Sequence, residues 1–207
     1  FAENRILELL RRYGKDTVLG AVHQMMDRTE RAVRAEIAAM PDGTYSGESS
    51  TDDDGTVLDE PVAVRVDVTI KGDEVTLDFS RSDAQRTGFI NCVYAVTYAR
   101  AVAATIIYMD PALADFHNSG SMRPLKVIAP LGSVTNARYP ATVGASPVNV
   151  GCQVVEAVVE ALGGPVHVAH HVVEARVAVA QHLRSVELVD HHGQERNLLY
   201  PGPDENG

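Results

Sequence analysis

The chain has 207 residues, 45% hydrophobic and 22% charged, a balance that supports one sizeable core burying about 70% of the unfolded surface and excludes a disordered chain. Eighteen basic against 28 acidic residues give a net charge of −10, which argues against sequence-independent binding of nucleic acid or anionic lipid. No apolar run reaches the roughly 18 residues of a membrane-spanning helix, which excludes an integral membrane protein, and a first residue Phe1 without a signal pattern suggests a piece of a longer chain.

Residues 2–13 read as a helix with Ile6, Leu7, Leu9 and Leu10 on its apolar side and Gly14 as a left-handed cap. Asp16 is then expected to cap a longer helix reaching about Met40. Its stripe of Val18, Val22, Met25, Met26, Thr29, Val33, Ile37 and Met40 returns at three- and four-residue intervals and predicts a core-facing side. Pro41-Asp42-Gly43 closes the helical region with a turn. Between that turn and the next regular element lies Thr51-Asp52-Asp53-Asp54-Gly55. These adjacent acids lack EF-hand ligand spacing and are expected to form a solvated turn.

From residue 62 the period changes from 3.6 to 2. Val62, Val64, Val66, Val68 and Ile70 share one face of a strand, with Arg65, Asp67 and Thr69 on the other. Gly72-Asp73 turns into a second run with Val75, Leu77 and Phe79 inward, an antiparallel hairpin. Residues 91–109 predict a buried helix, 111–123 a loop, 125–129 a short strand and 132–147 a further loop. Residues 150–162 predict a helix closed by Gly163-Gly164. Residues 172–190 lean towards strands, and the chain ends in a polar, turn-forming tail. The fold expected is α+β: an N-terminal helical pair, an antiparallel β-hairpin sheet, and buried helices packed on it. The natural divisions are a helical segment (1–43), an α+β core (44–164) and a C-terminal segment with the tail (165–207).

Charge is spread unevenly, with −9 over residues 41–83 and +3 over 84–151, the second stretch being rich in loop-forming Gly, Pro and Asn. Cys92 and Cys152 lack metal or redox spacing, so a reducing, cytoplasmic setting is the default. No GxGxxG or GxxxxGK[ST] phosphate loop occurs, and Ser146 lacks the glycine frame of a nucleophile elbow. His167, His170, His171, His182, His191 and His192 cluster late. Their spacing allows imidazoles to share a helical face and suit zinc, manganese or iron; the alternative is a set of exposed histidines without chemistry. The segment from Asp115 to Pro124 is the stronger candidate, because it gathers Asp115, His117, Asn118 and Arg123 within ten residues of loop, and a guanidinium can hold a carboxylate or phosphate bidentately. Arg123 has an alternative structural role, pairing with an acid of the hairpin.

Several short stretches in order, among them Asn4 to Gly14, Pro41-Asp-Gly-Thr-Tyr45, Asp52-Asp-Asp-Gly55, Leu77-Asp-Phe-Ser80, Gly88-Phe-Ile-Asn91, Asn118-Ser-Gly120, Arg123-Pro124, Ile128-Ala-Pro130 and Pro140-Ala-Thr-Val143, resemble the hydantoinase B/oxoprolinase family. The resemblance runs from the start to about Leu162. It implies a B-type component of an ATP-dependent cyclic-amide hydrolase, acting with an A-type partner that holds ATP and Mg and activates the substrate carbonyl by phosphorylation. The alternatives it leaves open are a component of an acetone- or acetophenone-type carboxylase and a non-catalytic structural component of such a complex. Related carboxylases hold a divalent metal on an upstream stretch with no counterpart here, so a metal in the parent complex is assigned to no residue of this chain. The catalytic positions implied are Asn91 and Asn118, as amides that donate to a substrate carbonyl, and Arg123 as an anion clamp.

Overall fold

A computed structural model describes residues 1–163; the expected strands of 172–190, the tail and the late histidines lie outside the described residues. The element order is α1 (Ala2–Tyr13), α2 (Lys15–Ala38), β1 (Gly43–Thr51), β2 (Val62–Lys71), β3 (Glu74–Asp78), α3 (Tyr94–Ile106), 3-10 turns at Pro111–Phe116 and Ser119–Met122, and β4 (Leu125–Ile128). A fourth helix, α4, follows over residues 150–163.

The strands form one sheet in the order β1-β2-β3-β4. β1, β2 and β3 are antiparallel neighbours, whereas β4 runs parallel to β3 with Leu77 opposite Val127. The sheet is therefore mixed and not purely antiparallel. A parallel neighbour cannot be reached by a tight turn, and the chain uses residues 79–124, including α3, to return.

Alternation in β2 works as predicted: Val62, Val64, Val66, Val68 and Ile70 are all buried. They join Val75, Leu77, Phe79, Leu125 and Val127 in the core, covered by Val33, Ile37 and Met40 of α2, by Ala101, Val102 and Ala104 of α3, and by the inner side of α4. Each fully buried aliphatic or aromatic side chain contributes roughly 1.5–3 kcal/mol. A single cluster thus spans residues 33 to 162.

Periodicity gives no sign of strand β1. Its sequence is Gly-Thr-Tyr-Ser-Gly-Glu-Ser-Ser-Thr, and its one buried position is Gly47. Gly47 pairs with Val66 and so shares the core face. A Cβ there would lie 2.0 Å from the Ala157 carbonyl oxygen, so the helix backbone occupies the place of an apolar side chain. Hydrogen bonds fix the same contact: the Glu48 N–H donates to Glu160 Oε2 at 2.7 Å, and the Ser49 hydroxyl donates to Glu156 Oε2 at 2.6 Å.

Two helix expectations change in detail. Asp16 lies in the first turn of α2 rather than at its cap, which is Gly14, and no side chain caps the helix. Only the C-terminal half of the α2 stripe is core. Thr29, Val33, Ile37 and Met40 are buried, while Val22 and Met25 are 38% and 58% exposed, because no described element covers them. Helix α1 has no buried residue.

Candidate functional site

Two polar centres hold the loops that flank the sheet. The first lies against α2. Thr29 is buried within the apolar stripe, and its hydroxyl oxygen accepts from Asn118 Nδ2 at 2.8 Å while lying within hydrogen-bonding distance of the Met25 and Phe116 carbonyls. Asn118 also donates to the Phe116 carbonyl and accepts from the Gly120 N–H at 2.8 Å, so it caps the turn Ser119–Met122. Gly120 permits the close approach that follows: a Cβ on it would sit 2.0 Å from the Met26 carbonyl oxygen of α2. Just past the end of that turn, Arg123 Nη1 reaches Asp27 at 2.7 Å and Glu30 at 2.8 Å.

These contacts clamp residues 116–123 to one side of α2. The Arg123 guanidinium holds the carboxyls of Asp27 and Glu30 below the usual carboxylate range, with Arg34 assisting at Glu30. Arg123 thus pairs with acids of α2, and not with an acid of the hairpin, because the turn delivers it to the helix. Beside the clamp runs a groove of about 980 Å³, half of whose lining residues are apolar, among them Val22, Met25, Ala32, Leu113 and Phe116. His117 and Asn118 stand on its wall, with Arg28, Glu36 and Asp110 as further polar groups.

The second centre organises the loops 84–91 and 133–149. Asn91 is fully buried. Its Oδ1 accepts from the Arg86 N–H at 2.7 Å, and its Nδ2 donates to the carbonyls of Arg86, Gly88 and Thr142. The Ser146 hydroxyl lies within hydrogen-bonding distance of the Asn91 and Val143 carbonyls. Below this lies Asp54, 4% exposed, which accepts from the Thr56 hydroxyl and N–H, from the Val57 N–H and from the Gly88 N–H. Asp54 is thus a buried anchor, in contrast to its exposed neighbour Asp52, and the expectation of a solvated acidic turn holds only for part of the run. Its four donors, led by the Thr56 hydroxyl, keep the carboxyl far below the ordinary aspartate range. On the outer face of the sheet Arg65 bridges Glu48 and Asp83, and Arg86 bridges Asp83 and Glu60.

The structure therefore brings Asn118 and Arg123 together on α2 and sets Asn91 in the other centre. The amide N–H groups of both asparagines donate to protein acceptors: those of the buried Asn91 to main-chain carbonyls that need donors, and those of Asn118 to the Thr29 hydroxyl and the Phe116 carbonyl. Thr29, Asp27 and Glu30 carry no motif, although a threonine inside an apolar stripe is a visible signal. Among the described residues no three His, Cys, Asp or Glu side chains converge as a metal site. No described helix is long and apolar enough to cross a membrane.

Residues 1–196 match the family model for hydantoinase B/oxoprolinase. The chain is 31% identical over 185 residues to the B-type component of a putative D-/L-hydantoinase of Pseudomonas sp. (strain NS671), covering 86% of this chain and 31% of that protein. It is 31% identical over 140 residues to the beta component of the caprolactamase of Pseudomonas jessenii, covering 67% and 23% respectively. The solved ATP-dependent caprolactamase of Pseudomonas jessenii superposes with a TM-score of 0.70 at 29% identity, over 79% of this chain and 28% of that one. A nucleotide-free acetone carboxylase shares the fold, with a TM-score of 0.56 at 17% identity over 67% of this chain and 20% of that one. The chain spans a third or less of the length of these relatives. Taken with the motif residues that build both polar centres, the match over residues 1–196 shows that this chain belongs to the hydantoinase B/oxoprolinase family.

Proposed function

We propose that the protein works as the B-type component of an ATP-dependent cyclic-amide hydrolase, together with an A-type partner that binds ATP and Mg. The observation that carries this reading is the family match over residues 1–196. Relatives named as components of a hydantoinase and of a caprolactamase support the substrate class. The chain itself has no phosphate-cradling glycine loop, and among its described residues no three His, Cys, Asp or Glu side chains converge. Nucleotide chemistry is accordingly assigned to the partner, and no step is assigned to a metal here.

In this reading the apolar groove beside α2 receives the hydrocarbon part of the ring. Asn118 and Arg123 hold the 116–123 segment that forms its wall, and Asn91 holds the 86–91 loop. All three act as positioning residues. The guanidinium of Arg123, 40% exposed, would also present positive charge to an anionic, activated substrate, although Asp27 and Glu30 already balance it.

The test is reconstitution. The protein produced with an A-type hydantoinase or oxoprolinase partner should open hydantoin, 5-oxoproline or a lactam with stoichiometric ATP cleavage, and neither component should do so alone. ATP-dependent turnover by the isolated chain would overturn the two-component reading.

A further inference from the structure

Ser121 and His117 form a pair that neither the core nor the ion-pair network uses. Ser121 is 3% exposed. Its hydroxyl donates to the Asn118 carbonyl at 2.6 Å and lies 2.8 Å from His117 Nδ1. A serine hydroxyl has one proton, and a carbonyl can only accept. With that proton on the shorter contact to the Asn118 carbonyl, which also accepts the Ser121 N–H at 3.0 Å, the contact to Nδ1 is a hydrogen bond when the imidazole donates. The arrangement in which both contacts are hydrogen bonds has neutral His117 as the Nδ1–H tautomer, with its lone pair on Nε2. The Ser121 side of the ring faces the protein; His117 is otherwise exposed and lines the groove beside α2.

We propose that His117 Nε2 is the acceptor for the ring N–H of a cyclic amide lodged in this groove, and that Ser121 is the positioning residue that fixes the tautomer. The proposal rests on the cyclic-amide reading above. Its logic is one of matched polarity. The groove offers hydrocarbon walls in Val22, Met25, Ala32, Leu113 and Phe116, against which a ring's methylene or carbon face loses water favourably. A ring N–H placed in such surroundings needs an acceptor. The opposite tautomer would set an imidazole N–H against the ring N–H, two donors with nothing between them. Ser121 removes that state, so the groove selects a secondary amide over its N-alkylated analogue.

The first measurement is a long-range ¹H–¹⁵N correlation on histidine-labelled protein at about pH 8, where an ordinary imidazole is neutral. Wild-type His117 should show a protonated Nδ1 and an unprotonated Nε2. Ser121→Ala should give a mixture of tautomers, and Ser121→Thr should restore the wild-type pattern. An Nε2–H tautomer in the wild type, or no change in Ser121→Ala, overturns the proposal. The second measurement titrates the protein with ε-caprolactam and with N-methyl-ε-caprolactam. The N-methyl probe should bind roughly three- to tenfold more weakly, the worth of one hydrogen bond, and His117→Phe should bring the two probes level. Equal binding of both by the wild type overturns the proposal. The cyclic-amide reading fails separately: if the reconstituted complex opens no ring while the tautomer and the N–H preference stand, that reading falls and the recognition by His117 remains. If His117→Phe retains full kcat/KM in an active complex, the reading stands and the role of His117 falls.

Discussion

Gly88 is pressed against Asp54: its N–H donates to Asp54 Oδ2 at 3.1 Å, and a Cβ on it would lie 1.7 Å from the Asp54 carbonyl oxygen. Backbone meets backbone here, so neither side can yield by turning a side chain. Gly88→Ala should destabilise the protein by about 1–3 kcal/mol or more, as overpacking at a rigid contact does. Urea unfolding would show a lowered midpoint with an unchanged slope. A midpoint equal to that of the wild type would contradict the close approach.

Asp54 also makes stability depend on acidity. Its carboxyl is held below the ordinary value of 3.8 by the Thr56 hydroxyl first, then by the Val57 and Thr56 N–H groups, with burial opposing and the Gly88 N–H adding. A folded pKa lower than the unfolded one means that the stabilisation is present above the unfolded value and is lost as pH falls through the folded value. Thermal melts should therefore drop steeply on acidification below about pH 4. Asp54→Asn should begin less stable, because its amide would face N–H donors, and should show a flatter acid limb.

Asn91 offers a direct contrast between structural and catalytic roles. Asn91→Ala would leave the Arg86 N–H without its acceptor and deprive three carbonyls of a donor. Unsatisfied buried groups cost about 1–3 kcal/mol each, so a marked fall in Tm is expected. Native stability combined with lost turnover would point instead to contact with substrate.

Arg123 should behave differently, since its ion pairs are largely exposed and such pairs contribute little to folding. Arg123→Met should shift Tm only slightly, while the carboxyls of Asp27 and Glu30 rise back towards ordinary values in a carbon-13 NMR titration. In the reconstituted complex, loss of turnover with assembly intact would support a role at the site. Loss of assembly alone would support a scaffold role.

Gly120→Ala tests the clamp on α2. The added methyl would collide with the Met26 carbonyl oxygen, forcing the Ser119–Met122 turn away from the helix at a cost of about 1–3 kcal/mol. The groove should widen, and hydrogen exchange at residues 117–123 should quicken relative to the sheet. Unchanged exchange there would show that the turn is held by other means.

The amino-acid order by itself determined the elements whose burial is one-sided. The alternating valines of β2, the hairpin at Gly72-Asp73 and the apolar spacing of α2 each write their local geometry as a period. Tertiary structure decided the rest wherever a position's partner is backbone from elsewhere in the chain. Strand β1 is hidden because the group filling its core position at Gly47 is the Ala157 carbonyl of the distant helix α4. Asp52, Asp53 and Asp54 look alike in sequence, and Asp54 becomes a buried anchor because the local Thr56 and Val57 donors are joined by Gly88 from a distant loop. Asn91, Asn118 and Arg123 were recognisable as special residues, but a side chain's chemistry follows from what it already holds. Main-chain carbonyls claimed the amide of the fully buried Asn91, because groups removed from water must find their partners within the protein. The half-buried Asn118 is held by the Thr29 hydroxyl and the Phe116 carbonyl, and the exposed guanidinium by two carboxylates of α2.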